Sequence, residues 1–318
     1  MKRFILAAVL LSLSILSSAQ QRRVRINVSP SGEYMFAQRD TCQLFMSVYN
    51  PVEGRETSVQ GKQKPCILFV FGGGFIMGDR NAKAYLPWFR LYNENGYRVI
   101  TIDYRLGLKG AGNVGIKDID VIYNAIQIGV EDLYSATAFI IDNAEALGVD
   151  PSRIVIAGSS AGAIISLQAE WHLCNRSGHS DMLPKDFRYA GVMSFSGAIF
   201  SREGRIRYAQ EPAPTLLMHG TADKIVNYNH IVFFKNRFEG SRPLAKNYAK
   251  NAYNYNIYRY EGNQHEIASS FVSSFPEQLR FLETNVMKGE KRIVDVTVSD
   301  PSIKVWNVNS TKELYKNN

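Results

Sequence analysis

The sequence is poor in cysteine, free of internal repeats and, after its first 16 residues, without any long apolar run. Cys42, Cys66 and Cys174 are its only cysteines, so at most one disulfide could form and a disulfide-rich scaffold is excluded. No later stretch approaches the roughly 20 apolar residues that a membrane-spanning helix needs. Basic residues exceed acidic ones by 37 to 29 but are spread along the chain, which favours a solvated basic surface over a nucleic-acid groove.

The first 19 residues have the pattern of an export signal. Lys2 and Arg3 precede an apolar run over 4–16, and small residues at 17–19 form a cleavage-like site. Because this run is too short to cross a bilayer, we predict a cleaved signal peptide over 1–19 and no membrane anchor. The mature chain then begins at Gln20 and is periplasmic or secreted.

Short apolar runs alternate with segments of helical periodicity along the rest of the chain. Predicted strands span 24–28, 42–49, 66–71, 97–102, 153–157, 189–195, 214–219 and 254–260, and predicted helices span 118–148, 161–171, 228–238 and 266–287. Residues 294–298 could add an edge strand or simply extend the chain. The pattern predicts an α/β fold in which helices cover both faces of a mostly parallel sheet, with an antiparallel entry. Without a linker, we predict one domain over 20–318, with a catalytic core over about 42–288 and a C-terminal extension over 289–318.

A G-x-S-x-G pattern lies at a predicted strand-to-helix junction. Gly158 and Gly162 flank Ser160 at two positions on either side, whereas Ser159 has alanines at the matching positions. A nucleophile elbow needs small neighbours because the strand and helix backbones approach closely there. A Gly/Ser-rich helix N-cap is the alternative, and this motif alone does not decide between them.

Three consecutive glycines follow the predicted strand that begins at Cys66. In the stretch Phe71-Gly72-Gly73-Gly74-Phe75, backbone N–H groups could converge on an oxyanion without obstruction by side chains. A tight turn and a phosphate cradle are the alternatives, but neither a G-K-[ST] ending nor G-x-G-x-x-G spacing is present. Combined with the serine motif, this loop favours a serine hydrolase.

These motifs resemble those of the α/β-hydrolase superfamily, specifically carboxylesterases with an H-G-G-G-F oxyanion loop. The resemblance covers roughly 66–281 and includes the stretches 102–106, 143–151, 158–162 and 218–223. Phe71 departs from it, because many relatives carry a histidine there that can brace the loop. The backbone donors of the loop do not depend on that side chain.

The resemblance implies a catalytic triad in the chain order nucleophile, acid, base. Ser160 would be the nucleophile, Asp223 the acid after strand 214–219, and His265 the base after the last central strand. The other histidines are expected to be structural or exposed, so that replacing His219 should spare the chemistry: His172, His179, His219 and His230.

The resemblance also implies an oxyanion hole formed by the N–H groups of Gly73, Gly74 and Ala161. We expect three residues after the glycines to form one wall of the substrate pocket: Phe75, Ile76 and Met77. The chemistry requires no cofactor, and the pair His172 and Cys174 lacks the further ligands that a zinc site needs.

The predicted function is that of an exported serine carboxylesterase acting on short-chain or aromatic acyl esters. The segments 107–115 and 173–187 are polar or glycine-rich, so we expect a minimal lid and an open site. Small-molecule or oligosaccharide esters are the expected substrates, with acetyl or feruloyl groups on plant polysaccharide fragments as one class. Two alternatives are an exopeptidase-like hydrolase, disfavoured by the short segment before Cys66, and an inactive hydrolase fold used for binding.

Overall fold

The structure of the protein is a computed structural model that describes residues 28–112, 114 and 118–307. The predicted signal peptide over 1–19 lies outside these residues. So do the predicted strand 24–28, apart from Val28, and the end of the predicted C-terminal extension, 308–318.

The strands and helices of the described residues follow in chain order. The strands are β1 (Gly32–Arg39), β2 (Cys42–Tyr49), β3 (Ser58–Val59), β4 (Lys62–Gln63), β5 (Cys66–Val70), β6 (Arg98–Ile102), β7 (Ile154–Ser159), β8 (Gly191–Phe195), β9 (Ala198–Ser201), β10 (Thr215–Gly220), β11 (His230–Phe233), β12 (Asn236–Gly240), β13 (Tyr255–Tyr260) and β14 (Val294–Val298). The α-helices are α1 (Leu86–Glu94), α2 (Ile119–Asp142), α3 (Ala144–Leu147), α4 (Ala161–Asn175), α5 (Ser241–Lys250) and α6 (Phe275–Phe281). Shorter 3-10 segments lie at Pro151–Arg153, Ser180–Met182 and His265–Ser269, and a π-helical segment at Leu282–Met287.

One sheet of nine strands organises the fold, in the order β1-β2-β6-β5-β7-β8-β10-β13-β14. The pairs β1–β2 and β2–β6 are antiparallel. Every neighbouring pair from β6 to β14 is parallel. The predicted mostly parallel sheet is confirmed, and residues 294–298 form an edge strand. The antiparallel edge is formed by β2, which was predicted, and by β1 over Gly32–Arg39, which was not.

The central strands are buried along their whole length. Every residue of β5 and β7 is buried, and side chains of a strand alternate between the two faces, so both faces of the sheet are covered. Helix α4 packs against β7 and β8, and helix α2 packs against α4. Cys66 lies in this core as predicted, and all three cysteines are free thiols. Among the described residues, no helix combines the length and apolarity that crossing a bilayer requires.

The predicted helix over 228–238 is wrong. These residues contain the hairpin β11–β12, which joins β9 in a separate three-stranded sheet. Ile231, Val232 and Phe233 are β-branched or aromatic, a composition that favours extended pairing. The helix of this region instead begins at Ser241, directly after the hairpin.

Prolines account for two further differences from the sequence-based prediction. Pro87 lies in the first turn of α1, and Pro276 lies in the first turn of α6. A proline is tolerated there because the first N–H groups of a helix have no intrahelical acceptor. Helix α1 was therefore not predicted from the sequence. The predicted helix over 266–287 is divided into 3-10, α and π segments.

The sheet brings the three predicted triad residues to one edge. Ser160 follows β7, Asp223 follows β10 and His265 follows β13. These strands are parallel and lie within four neighbouring positions of the sheet. Since the carboxyl ends of parallel strands meet at the same edge, the loops that follow them converge there.

Candidate active site

The turn between β7 and α4 holds Ser160 in a strained conformation. Its φ is +51° and its ψ is −117°, a region that residues other than glycine rarely occupy. A Cβ atom on Gly158 would overlap the backbone of Gly162, and one on Gly162 would overlap the carbonyl oxygen of Val70. The glycines on either side of Ser160 are therefore required by the close approach of strand and helix.

The neighbouring serine is engaged elsewhere. The hydroxyl of Ser159 donates a 2.8 Å hydrogen bond to the carbonyl oxygen of Ala268. The hydroxyl of Ser160 instead lies 2.8 Å from Nε2 of His265. The geometry therefore distinguishes the two serines in the same way as the glycine spacing does.

Ser160, His265 and Asp223 form a continuous chain of hydrogen bonds. Nδ1 of His265 lies 2.8 Å from Oδ2 of Asp223, and all three side chains are buried. Because Nδ1 faces a carboxylate, it carries the proton of the neutral ring, and Nε2 is left to accept the proton of the serine hydroxyl. The structure thus brings together the three residues that the sequence singles out.

Asp223 is held as a carboxylate by its surroundings. Burial alone would raise its pKa, but hydrogen bonds from His219 and His265 outweigh burial and hold the pKa well below the usual range of an aspartate. Its other oxygen, Oδ1, accepts hydrogen bonds from the N–H groups of Ile225 and Val226, at 2.9 and 3.0 Å. A carboxylate fixed at both oxygens orients the imidazole and favours its charged form.

A second histidine contacts the same carboxylate, which the sequence analysis missed. His219 is fully buried, with Nε2 at 3.3 Å from Oδ2 of Asp223 and at 2.9 Å from the carbonyl oxygen of Val226. Since both neighbours of Nε2 are acceptors, Nε2 carries the proton, and Nδ1 accepts from the hydroxyl of Ser241 at 2.8 Å. His219 lies near the end of β10 and four residues before Asp223 in the sequence. This short spacing is the signal that could have revealed the contact.

The glycine loop lies directly beside Ser160. A Cβ atom on Gly72 would lie 3.3 Å from Cβ of Ser160. Gly73 and Gly74 have φ values of +135° and +63°, which glycine adopts without strain. Within the described part of the chain, the N–H groups of Gly73 and Gly74 have no backbone or side-chain acceptor, whereas that of Gly72 donates to the hydroxyl of Tyr85 at 3.3 Å. Two uncommitted donors therefore lie in the loop next to Ser160.

Phe71 braces this loop by packing. Its ring centroid lies 4.5 Å from that of Tyr104, and a Cβ atom on Gly78 would overlap the Phe71 ring. Phe75 is also buried, with its ring 6.3 Å from Tyr104. Of the three predicted pocket residues, Ile76 and Met77 keep partly exposed side chains, whereas Phe75 belongs to the core.

The segment 173–187, one of the two expected covers, lies away from the nucleophile. Helix α4 starts beside Ser160 and runs for 15 residues to Asn175, a distance of about 22 Å at 1.5 Å per residue. The 3-10 segment Ser180–Met182 then packs against α2. The other expected cover, 107–115, of which 113 and 115 lie outside the described residues, begins at the loop, since the N–H of Leu108 donates to the carbonyl oxygen of Phe75. In the residues that the structure describes, no cluster of His, Cys, Asp and Glu has the makings of a metal site.

Comparisons with known proteins agree with this architecture. Residues 55–197 match the BD-FAE family model. Esterase E4 of Myzus persicae is 34% identical over 133 residues, and the bile salt-activated lipase of Bos taurus is 29% identical over 131 residues. These matches cover 42% and 39% of this chain but only 22% and 21% of those proteins, so the chain spans about a fifth of the length of these curated relatives.

Solved structures extend the likeness over most of the chain. The propionate-bound esterase 2 of Thermogutta terrifontis superposes with a TM-score of 0.54 at 20% sequence identity. The match covers 79% of this chain and 94% of that one. At this level of identity the likeness shows the fold alone, which is the α/β-hydrolase fold.

Proposed function

We propose that this chain, which has an α/β-hydrolase fold, is a serine carboxylesterase that works through an acyl-enzyme intermediate. The observation that carries the proposal is the hydrogen-bonded chain from Ser160 through His265 to Asp223, with the serine on a strained elbow. Esterases and a lipase are among the relatives of the matched segment, which supports ester hydrolysis over a purely binding role.

The geometry suits the two half-reactions of acyl transfer. Nε2 of His265 accepts the proton of Ser160 as the serine oxygen attacks the ester carbonyl, and then delivers that proton to the leaving alcohol. In the second half-reaction, the same nitrogen activates a water molecule that releases the acid and regenerates the serine. Asp223 remains ionised throughout and stabilises the imidazolium that forms in each half-reaction.

The oxyanion is expected to bind to backbone donors. We assign this role to the N–H groups of Gly73, Gly74 and Ala161, of which the first two have no other acceptor among the described residues. Ala161 lies in the first turn of α4, where the first N–H groups have no intrahelical acceptor and the helix dipole favours negative charge. Donors fixed in this way stabilise charge as it develops in the transition state.

For the substrate, we propose short-chain or aromatic acyl esters, including acetyl or feruloyl groups on plant polysaccharide fragments, processed outside the cytoplasm. The glycine-rich composition of 107–115, the segment that begins at the glycine loop, supports short acyl groups, as does the propionate named for the Thermogutta terrifontis neighbour. Export rests on the leader pattern over 1–19. Sequencing the N-terminus of the protein recovered from outside the cytoplasm tests export, with Gln20 as the expected first residue.

The test of the activity compares two adjacent serines with a short-chain chromogenic ester. Ser160→Ala should lower kcat by several orders of magnitude and leave the residual catalysis of the oxyanion donors. Ser159→Ala is the matched control, since it removes only the hydrogen bond to Ala268 and should retain substantial activity. Equal losses in the two folded variants would contradict the assignment, and faster cleavage of a peptide amide than of the ester would favour the exopeptidase alternative.

A further inference from the structure

A cavity of about 810 Å³ lies outside the catalytic residues. Its walls come from the connection after β9, from the hairpin β11–β12 and from helix α5. Six basic side chains line it: Arg205, Arg207, Arg237, Arg242, Lys246 and Lys250. We call this cavity the basic groove. Six cations that are separated in the sequence, between 205 and 250, thus lie around one cavity.

The basic groove contains almost no compensating negative charge. Its one carboxylate among the lining residues, Glu239, is buried and accepts a 2.7 Å ion-paired hydrogen bond from Nε of Arg237. Within the part of the chain that the structure describes, the other five cations form no ion pair. Clustered like charges focus a positive potential, which a bound anion would neutralise.

Helix α5 arranges three of these cations in a row. Arg242, Lys246 and Lys250 are four residues apart, so they lie on one face of the helix over a length of about 12 Å. All three are exposed. The helix dipole favours a cation at Lys250, in the last turn, but disfavours one at Arg242, in the first turn. Interaction with the helix dipole therefore does not explain why all three positions are basic. Binding of a linear polyanion along this face of the helix does explain it.

The uncharged lining matches a carbohydrate better than a nucleic acid. Asn229 and Asn251 each keep one amide group that could bind a hydroxyl, since only Oδ1 of Asn229 and Nδ2 of Asn251 have partners within the described part of the chain. The rings of Tyr208 and Tyr253, which pack edge to face on each other, are partly exposed in the lining and offer apolar surface to a sugar ring. A cavity of about 810 Å³ lies within the range of sites for small ligands. Its size suits a few sugar units rather than a duplex, which needs a long open surface.

The row begins beside the layer that supports the triad. Ser241, the first residue of α5, directly precedes Arg242, and its hydroxyl donates to Nδ1 of His219, the histidine that contacts Asp223. We propose that the basic groove binds carboxylate-bearing oligosaccharide segments, such as those of uronic acids. Guanidinium groups suit this ligand because they pair with carboxylates at two points. The binding is independent of catalysis; that the same polymer carries the hydrolysed ester rests on the proposed function.

The experiment measures binding of the full chain to polygalacturonate fragments in low salt, in the Ser160→Ala background. Fully methyl-esterified fragments of the same length provide the uncharged comparison, which the inactive variant leaves intact. The test variant combines Arg242→Gln, Lys246→Gln and Lys250→Gln. The matched control removes three exposed cations elsewhere: Arg55→Gln, Lys62→Gln and Lys185→Gln.

We expect the acidic fragments to bind and the esterified fragments to bind at least tenfold more weakly. The test variant should lose about tenfold in affinity for the acidic fragments, because each exposed ion contact contributes a few-fold. The control variant should change affinity less than twofold. Absence of binding by the acidic fragments, or equal losses in the two triple variants, would overturn the proposal. So would equal or tighter binding of a single-stranded oligonucleotide of the same charge. Because binding is measured without turnover, failure of the esterase assignment leaves this result interpretable.

Discussion

Replacing His219 tests how Asp223, the proposed catalytic acid, is held in place. Its Nε2–H group contacts Oδ2 of Asp223, the same oxygen that receives the hydrogen bond from His265. His219→Phe keeps a ring of similar size but removes the donor. We therefore expect slower turnover, because the carboxylate that orients His265 loses one of its restraints. This revises the expectation from sequence that replacing His219 spares the chemistry.

The size of the effect follows from the geometry. A hydrogen bond to a charged group contributes about 1.5 to 3 kcal/mol. At 3.3 Å, and with Nε2 also facing the carbonyl oxygen of Val226 at 2.9 Å, the contact with Asp223 falls at the low end of this range. About 1.4 kcal/mol in the transition state corresponds to a tenfold lower kcat. KM should change little, because His219 is fully buried and is expected to make no contact with substrate.

Two further variants separate positioning from stability. His219→Gln restores an N–H donor and should recover most of kcat. His172→Phe removes another buried histidine, which hydrogen-bonds Gln168 and Ser177 instead of Asp223. Both His219→Phe and His172→Phe should lower the free energy of unfolding by about 1 to 3 kcal/mol, the cost of a broken buried hydrogen bond. Only His219→Phe should also lower kcat. Steady-state kinetics and chemical denaturation at pH 8 provide the two readouts. An unchanged kcat in His219→Phe, or an equal loss in His172→Phe, would refute the reasoning.

Three further predictions concern the elbow, acid stability and the acyl group. Gly158→Ala should destabilise the protein by about 3 kcal/mol, because its Cβ overlaps the backbone of Gly162; Gly204→Ala, at a positive φ with open space around it, should cost only about 1 kcal/mol in the same denaturation assay. Burial, with a contribution from His179, lowers the pKa of His172 to about 4, so the unfolded chain binds a proton first as the pH falls below about 6.5. Stability should therefore drop by up to about 3 kcal/mol between pH 7 and pH 4, and His172→Phe should lose less over that interval; an identical pH dependence of the two proteins would disprove this. Rates across acyl esters of increasing length should peak at short chains without a jump at micelle formation, whereas preference for emulsified long-chain triglycerides would contradict the open site.

Local pattern was sufficient to predict the sheet and the elbow. Runs such as Cys66–Val70 are apolar on both faces, and only a central strand of a covered parallel sheet requires that. The elbow was equally readable, since Gly158 and Gly162 are needed for a backbone approach that no other residue permits. The three triad positions follow once the strands before them are placed, because parallel strands deliver their loops to one edge.

Contacts between distant segments were not readable in this way. The pairing of β11–β12 with β9 decides that 228–238 is extended, and no periodicity within that stretch indicates its partner. The contact of His219 with Asp223 depends on how the chain turns after β10. Proline positions were also misjudged, since Pro87 lies in the first turn of a helix that the sequence analysis did not predict, and Pro276 begins an α-helix inside a stretch that was predicted as one continuous helix.

The wrong helix prediction over 228–238 also prevented prediction of the basic groove. With a helix over 228–238, Arg242, Lys246 and Lys250 fall in a loop, where a spacing of four residues has no geometric meaning. Once the helix is placed at Ser241–Lys250, the same spacing becomes a face, and Arg205 and Arg207 reach it from the connection after β9. Basic residues that are dispersed along a sequence can therefore lie together in space, so a charge pattern indicates where anions could bind only when the helix boundaries are correct.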